Sequence, residues 1–237
     1  MAETEGVAHK ALAVVDGQTL LARVHAALVR SGAERIAVSA DNPDVTAEAR
    51  RLGADVLPPA SGPSESVGLA LADLGTPLVV TTADHALLEG EWVRDFLSDA
   101  PAGCDVALLL ARRRDVEAAA PDSKRTWLRF ADGDWSGCNL FLLANGRAER
   151  AIATWRQVEA DRKRPWRIAR RLGLGTLWSY WRGKLTLAEA VSRLGQRIGV
   201  TAAIVPARNG LAAVDVDKPA DLALARQIVA ETKNPRD

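Results

Sequence analysis

An aspartate follows one of the most apolar segments of the chain. Residues 78–90 read LVVTTADHALLEG, so a run of apolar and β-branched residues leads into Asp84. A protein core excludes a carboxylate unless it is paired, hydrogen-bonded or bound to a metal. A second acidic segment, VDVDKPADL (214–222), carries Asp215 and Asp217. These carboxylates are the first candidates for chemistry.

Carboxylates at the end of a sheet suit a hard divalent cation. In open α/β sheets ligands bind beyond the carboxyl ends of the strands. Mg²⁺ takes one or two protein carboxylates and completes its shell with water and phosphate oxygens. The pattern therefore indicates phosphoryl or nucleotidyl transfer, with Asp84, Asp215 and Asp217 as candidate metal ligands.

Local structure offers a second interpretation of the same residues. An aspartate after a strand is a common helix N-cap, so Asp84 could cap the next helix, and Asp221 could interact favourably with its helix dipole. Alternation along a strand would point Asp215 and Asp217 the same way, and their spacing does not decide which one reaches a metal.

Alternating strands and helices must position these residues. Apolar periodicity and Gly, Pro and Ser boundaries predict helices over residues 20–32, 43–54, 64–75 and 89–100. They predict strands over residues 34–42, 55–60, 77–84 and 105–113. This order is typical of an α/β fold with a mostly parallel central sheet flanked by helices.

The pattern changes in the second half of the chain. Residues 127–146 predict two strands joined by a DGD turn, and residues 149–173 and 175–199 predict helices. Residues 201–207 predict a strand, and residues 211–231 a strand, a turn and a closing helix. We expect a single domain over residues 1–237 with a helical insertion at about residues 149–199.

The insertion is basic and rich in tryptophan. Its segment DRKRPWRIARR (161–171) clusters Arg and Lys, and five of the seven tryptophans lie between residues 135 and 181. Such a segment suits a phosphorylated ligand, or peripheral contact of residues 161–182 with an anionic membrane. A helical subdomain with a solvated basic face explains the composition equally well.

Composition and charge narrow the possible partners and the cellular location of the protein. A chain of 237 residues with a net charge of +1 has no global field for nucleic acid, and no nucleic-acid partner is expected. Cys104 and Cys138 lack metal-ligand spacing and suggest a reducing compartment. Because the sequence shows no signal peptide and no bilayer-length apolar run, we expect a cytoplasmic protein.

Three ordered segments carry a family resemblance. HKALAVVDGQTLLARVHAAL (9–28), TTADHALL (81–88) and DVDKPADLALA (215–225) resemble nucleotidyltransferases of the nucleotide-diphospho-sugar transferase fold. They are most similar to molybdenum-cofactor guanylyltransferase-like proteins. The resemblance implies that Lys10 binds the triphosphate and acts in catalysis with Asp84. It also implies that Asp84 holds Mg²⁺ together with Asp217.

The resemblance extends to two further regions. The segment GPSESV (62–67) is similar to the family's nucleotide-binding segment, which implies that Gly62 and Ser66 contact the nucleotide. The segment SGCNLFLL (136–143) would line the acceptor side, with Asn139 as a substrate-binding amide. A loop with a helix cap, and a plain core strand, are the corresponding structural alternatives.

One family element has no counterpart here. The family begins with an apolar strand and a Gly-rich loop of the type L-A-G-G-x-G-x-R, whereas only MAETEGVA precedes His9 and Lys10. We expect either that the natural start lies upstream or that the loop has been lost.

The resemblance implies Mg²⁺-dependent transfer of a nucleoside monophosphate from an NTP to a phosphorylated small-molecule or lipid-linked acceptor, releasing pyrophosphate. The alternatives are a catalytically impaired nucleotide-binding protein and a glycosyltransferase that uses a sugar nucleotide.

Overall fold

The predicted α/β fold is confirmed. The computed structural model describes residues 5–160 and 173–233. Its strands are β1 (Val14–Val15), β2 (Gln18–Thr19), β3 (Ala37–Ser39), β4 (Asp55–Leu57), β5 (Leu78–Thr81), β6 (Val106–Arg112), β7 (Leu128–Phe130), β8 (Gly133–Leu143) and β9 (Ala202–Pro206). Its helices are α1 (Leu20–Ser31), α2 (Pro43–Arg51), α3 (Pro63–Leu74), α4 (Gly90–Asp99), α5 (Arg113–Ala119), α6 (Ala148–Ala160), α7 (Leu174–Trp181), α8 (Leu187–Ile198) and α9 (Pro219–Lys233).

The central sheet is mixed rather than mostly parallel. Its strands follow the order β5-β8-β6-β9, and β7 pairs with β8. The long strand β8 runs antiparallel to both β5 and β6, whereas β6 and β9 are parallel. Strands β5, β6 and β9 therefore point the same way, so their carboxyl ends meet at one edge of the sheet. The loops that follow these strands converge at this edge.

A bulge interrupts β8 near its centre. Leu108 of β6 lies opposite Phe141, but Leu110 lies opposite Gly137, so β8 contains extra residues between these two pairs. Asn139 lies within the bulge and has a φ of 49°. Bulges re-aim side chains and are frequent beside functional sites.

The main core lies between the sheet and the helices α1 and α4. Val24 of α1 and Phe96 of α4 are buried with Leu109, Leu140 and Val205 of the sheet. Burying one such side chain contributes about 1.5–3 kcal/mol. This core fixes the sheet whose edge carries the candidate site.

The strand expected within residues 211–217 is absent, and this prediction is wrong. Residues Gly210–Ala213 form a 3₁₀ turn, in which Val214 N–H donates to the Leu211 carbonyl at 2.9 Å. Residues 212–216 are all buried, which differs from the alternation of a half-exposed strand. Asp215 and Asp217 therefore do not share one face of a strand.

The helical prediction for residues 175–199 is divided in the structure. Helix α7 ends at Trp181, and α8 is a separate helix with Thr186 as its N-cap residue. The side chains of Thr186 and Glu189 form a capping box at its start. The basic segment 161–171 lies outside the described residues. In the described part of the predicted insertion, α6, α7 and α8 form three separate helices.

Candidate functional site

Asp84 lies in the turn after β5, at the edge where the carboxyl ends of β5, β6 and β9 meet. Helix α4 begins only at Gly90, with Glu89 as its N-cap residue, so the interpretation of Asp84 as a helix cap is wrong. Val216 N–H donates to the Asp84 carbonyl at 3.0 Å. This bond joins the turn after β5 to the acidic segment 214–218.

Lys10 connects the two predicted metal ligands. Its Nζ lies 2.6 Å from Asp84 Oδ2 and 3.1 Å from Asp217 Oδ1. Burial lowers the pKa of Lys10, but the hydrogen bonds and charges of Asp84 and Asp217 outweigh burial and raise it above its usual value. The ammonium group therefore remains charged, and three segments far apart in the sequence meet at one point.

Asp215 belongs to a second, more buried group. Its Oδ1 accepts a hydrogen bond from Arg125 Nη1, and its Oδ2 accepts one from Asn139 Nδ2 at 2.6 Å. The side chains of Arg125 and Asp215 are 13% and 10% exposed. Burial lowers the pKa of Arg125, but the hydrogen bond and charge of Asp215 raise it overall. Both carboxylate oxygens of Asp215 are thus occupied by protein donors.

Asp221 has the structural role that its helix position suggested. Its Oδ2 accepts hydrogen bonds from the Asp217 and Lys218 backbone N–H groups, at 3.1 and 2.8 Å. These bonds cap the first turn of α9 and fix the backbone of Asp217. The Asp217 side chain remains 62% exposed.

The residues at Lys10 fit a magnesium ion. Within the described residues, no group of three His, Cys, Asp or Glu side chains could hold a metal. Mg²⁺ does not need such a group, because substrate phosphates and water supply its other ligands. Asp84 Oδ1 is buried without a hydrogen-bond partner, and the ammonium of Lys10 already shows that a cation is held between Asp84 and Asp217. Both oxygens of Asp215 already accept hydrogen bonds, from Arg125 and Asn139.

Gly62 and Ser66 lie at the start of α3, apart from the Lys10 group. Ser66 Oγ accepts a hydrogen bond from Ala60 N–H at 2.9 Å, so the hydroxyl fixes the loop before the helix. A Cβ atom on Gly62 would lie 3.3 Å from Glu159 Oε2 of α6. Among the described residues, no hydrogen bond or ion pair joins this loop to Lys10, Asp84 or Asp217.

Burial also shifts the pKa values of two further side chains, His85 and Cys138. Burial lowers the pKa of His85 to about 4, against the opposing charges of Asp215 and Asp84, so the imidazole is neutral at pH 7. Burial raises the pKa of the Cys138 thiol to about 12. Cys138 is therefore an unreactive core residue, as expected for a buried thiol.

Arg125 is a site residue that the sequence analysis missed. It lies between α5 and β7 in the polar stretch PDSKRTW (121–127), which has no motif or periodicity. Only a pairing between distant segments, Arg125 with Asp215, reveals it. A lone arginine in a polar loop gives no signal of that kind.

Comparison with known proteins identifies the family. Residues 4–171 match the family described as MobA-like NTP transferase domain. The chain belongs to this family. No curated protein sequence matches the chain significantly.

Solved structures share the fold of the chain. A hypothetical transferase from Thermus thermophilus is 33% identical, with a TM-score of 0.80 and coverage of 93% of each chain. The 2-C-methyl-D-erythritol 4-phosphate cytidylyltransferase of T. thermophilus is 18% identical, with a TM-score of 0.51 and coverage of 93% of each chain. The molybdopterin-guanine dinucleotide biosynthesis protein A of Archaeoglobus fulgidus is 14% identical (TM-score 0.52), covering 94% of this chain and 91% of that chain. These last two similarities concern the fold.

Proposed function

We propose that this transferase moves a nucleoside monophosphate from an NTP to a phosphorylated acceptor, in a reaction that depends on Mg²⁺. An acceptor phosphate oxygen attacks the α-phosphorus, the bond from that phosphorus to the bridging oxygen of the β-phosphate breaks, and pyrophosphate leaves. The observation that carries the proposal is the bridge of Lys10 Nζ to Asp84 and Asp217 at the edge of the sheet.

Each residue of the bridge has a distinct task in this proposal. Asp84 and Asp217 would hold the magnesium ion, which neutralises phosphate charge when it is bound. Lys10 turns from the carboxylates to the phosphates of the NTP as a flexible point charge. The protein supplies no nucleophile, so its contribution is positioning and electrostatic stabilisation.

The nucleotide is expected to extend from this bridge towards the start of α3. Gly62 has no Cβ, so a ligand can approach its backbone closely, and the Ala60–Ser66 hydrogen bond orders the loop. Gly62 and Ser66 therefore remain our candidates for nucleotide contacts. Asn139 acts on the acceptor side through Asp215 rather than by a free amide nitrogen.

An exposed aromatic surface favours an acceptor at a membrane. Trp178, Tyr180 and Trp181 of α7 are 57%, 49% and 77% exposed, and we call them the aromatic surface. Residues 173–188 contain Arg182 and Lys184 but no acidic residue. Aromatic side chains beside basic ones complement an anionic lipid surface, and we propose peripheral contact there. Within the described residues, no helix is long and apolar enough to span a bilayer.

Nucleotide-dependent melting tests the proposed function. The protein is melted with CTP, GTP, UTP or ATP, each with and without Mg²⁺. We expect one nucleotide to stabilise it only with Mg²⁺, by about 2.7 kcal/mol at a hundredfold excess over Kd. Pyrophosphate release on addition of a phosphorylated acceptor then completes the assignment.

Two variants locate the metal site. Asp84→Asn and Asp217→Asn are expected to abolish the Mg²⁺-dependent stabilisation, because each loses a carboxylate of the bridge. Asp73→Asn, an exposed residue of α3, is the matched control and should respond like the wild type. A normal Mg²⁺ response in Asp84→Asn would refute the metal site. Stabilisation by a sugar nucleotide but by no NTP would favour the glycosyltransferase alternative, and nucleotide binding without turnover would favour the impaired protein.

A further inference from the structure

Arg125 is a second cation at the candidate site, and its binding capacity is only partly used. The guanidinium group carries five N–H donors. Among the described residues, only Nη1 has a hydrogen-bond acceptor, Asp215 Oδ1, and Nε is buried with none. The side chain is only 13% exposed, although native proteins rarely leave buried donors unsatisfied. Its present partner therefore does not account for the whole group.

The surroundings of Arg125 orient it and keep it charged. Asp215 receives Arg125 on one oxygen and Asn139 on the other, so the carboxylate cannot rotate without breaking a hydrogen bond. Asn139 can reach Asp215 because the β8 bulge places it at a φ of 49°, an uncommon conformation for a residue with a side chain. This arrangement holds a guanidinium group in a defined direction.

Arg125 also lies beside the Lys10 bridge. The charges of Asp217 and Asp221 act on Arg125 in addition to that of Asp215. Asp217 is one of the two carboxylates that contact Lys10. The two cations thus flank one acidic segment, residues 215–217.

We propose that Arg125 binds a phosphate group of a substrate, with Asn139 and Asp215 as positioning residues. The planar fork of a guanidinium group matches two phosphate oxygens, whereas a lysine offers a single point charge. This inference rests on the proposed function, which brings two phosphate sources to the site, the NTP and the phosphorylated acceptor. The shared chemistry is a phosphate dianion or a phosphate ester.

The experiment compares four variants of the full chain in two titrations. The variants are Arg125→Gln, Arg125→Lys, Asn139→Gly and the control Arg129→Gln, which removes an exposed arginine of β7. One titration uses each NTP with Mg²⁺. The other uses inorganic phosphate, with and without the nucleotide that stabilises the wild type, so that it gives a result even if no nucleotide binds.

We expect Arg125→Gln to lose about tenfold in affinity in at least one titration, because a charge-assisted hydrogen bond is removed. A loss for inorganic phosphate alone assigns Arg125 to the acceptor, and a loss for the NTP assigns it to the triphosphate. Arg125→Lys keeps the charge and should lose less. Arg129→Gln should match the wild type. Equal affinities for Arg125→Gln and Arg129→Gln in both titrations would overturn the proposal.

Asn139→Gly separates positioning from folding. Glycine accepts a positive φ without strain, so the backbone of the bulge is kept, but the variant loses the hydrogen bond to the buried Asp215 carboxylate and should melt somewhat below the wild type while still unfolding cooperatively. It lacks the amide that holds Asp215, so we expect its phosphate or NTP affinity to fall several-fold. Unchanged affinity would remove Asn139 from the proposal.

Arg125→Lys keeps the proposal testable if Arg125→Gln does not fold. Wild-type affinity in Arg125→Lys would contradict a role for the planar fork of the guanidinium group. Absence of any Mg²⁺-dependent nucleotide binding by the wild type would instead be a failure of the proposed function.

Discussion

Asp84 can lie in the turn after the half-buried strand β5 because distant residues supply its partners. Lys10 comes from the start of the chain and Asp217 from its last quarter, and both meet Asp84 at the edge of the sheet. Removing one member of a buried charge pair is costly, because the other charge remains without a partner. The acidic residues therefore depend on the fold that assembles them, and the fold is weakened locally when a partner is lost.

His85 is expected to make the stability of the protein depend on pH. Its pKa is about 4 in the folded protein because the side chain is fully buried, against 6.5 for an exposed histidine. Between these values the unfolded chain binds a proton that the folded protein does not, so stability falls as the pH falls from 6.5 towards 4. We expect a loss of about 2 kcal/mol between pH 7 and pH 5, measured by urea unfolding at each pH.

The variant His85→Leu tests the origin of this loss. Leucine has a similar volume and cannot take up a proton, so the variant should lose clearly less stability than the wild type over the same pH interval. A larger side chain at another buried position, as in Val15→Leu, is unsuitable as a control, because it would overpack the core. The comparison variant His25→Gln removes a half-buried histidine of α1 whose pKa burial also lowers, so it should lose only a small part of the wild-type pH dependence. Identical slopes for His85→Leu and the wild type would contradict the assignment.

Contacts between residues far apart in the chain leave little signal in local sequence. The sequence points to Lys10, Asp84 and Asp217, and the structure brings them together. Asp215 was placed beside Asp217 as a metal candidate, yet it faces Arg125 and Asn139. Local sequence could not reveal this, because the contacts of Asp215 depend on a bulge in β8 and on a loop arginine, neither of which has a sequence signal.

At the scale of elements, strongly periodic segments were predictable and irregular ones were not. Helix α1 was predicted from its apolar spacing and its C-terminal glycine, Gly32, which has a φ of 95° in the structure. The sequence predicts a strand at the start of residues 211–231, before a turn and the closing helix. The backbone there instead forms a 3₁₀ turn and then bonds Asp84 through Val216, a tertiary contact that overrides local preference.

The 3₁₀ turn at Gly210 is expected to be essential for the position of the acidic segment. A Cβ atom at Gly210 would overlap the Asp115 carbonyl oxygen of α5, so the backbone would have to shift. We expect Gly210→Ala to destabilise the protein by about 1–3 kcal/mol or more, as overpacking does. The shift would also displace Asp215 and Asp217, so nucleotide binding with Mg²⁺ should weaken more than melting alone explains.

Gly146→Ala is the matched control for this close approach. A Cβ atom at Gly146 would meet no atom within 4 Å, so its melting temperature and nucleotide response should stay close to the wild type. Both variants are compared by thermal melting and by titration with nucleotide and Mg²⁺. If Gly210→Ala melted like Gly146→Ala, the turn would be more adaptable than its packing indicates.

At the scale of the whole molecule, the site and the aromatic surface are built from different parts of the chain. The site joins Lys10 near the start of the chain, Asp84 in the loop after β5, and Asp217 in the segment before α9. The aromatic surface lies on α7, where the Trp178 and Trp181 rings are 5.3 Å apart and Tyr180 meets Phe130 of β7 edge to face. The two features can therefore be tested separately by substitution.

Vesicle binding tests the aromatic surface. We expect the protein to co-sediment with vesicles that contain phosphatidylglycerol and not with pure phosphatidylcholine, because Arg182 and Lys184 accompany the aromatic side chains. The double variant Trp178→Ala, Trp181→Ala should lose most of this binding while keeping its Mg²⁺-dependent nucleotide response. The control Trp155→Ala removes a less exposed tryptophan of α6 and should bind like the wild type.

Salt dependence and oligomeric state distinguish the other uses of this surface. Contact with an anionic bilayer weakens as ionic strength rises, since screening shortens the range of the basic side chains. A contact between two copies of the chain would instead appear as a dimer in size-exclusion chromatography and would disappear in the double variant. Wild-type protein that stays monomeric and does not bind anionic vesicles at low salt would refute the membrane contact, and a free, water-soluble phosphorylated acceptor would then be the simpler substrate.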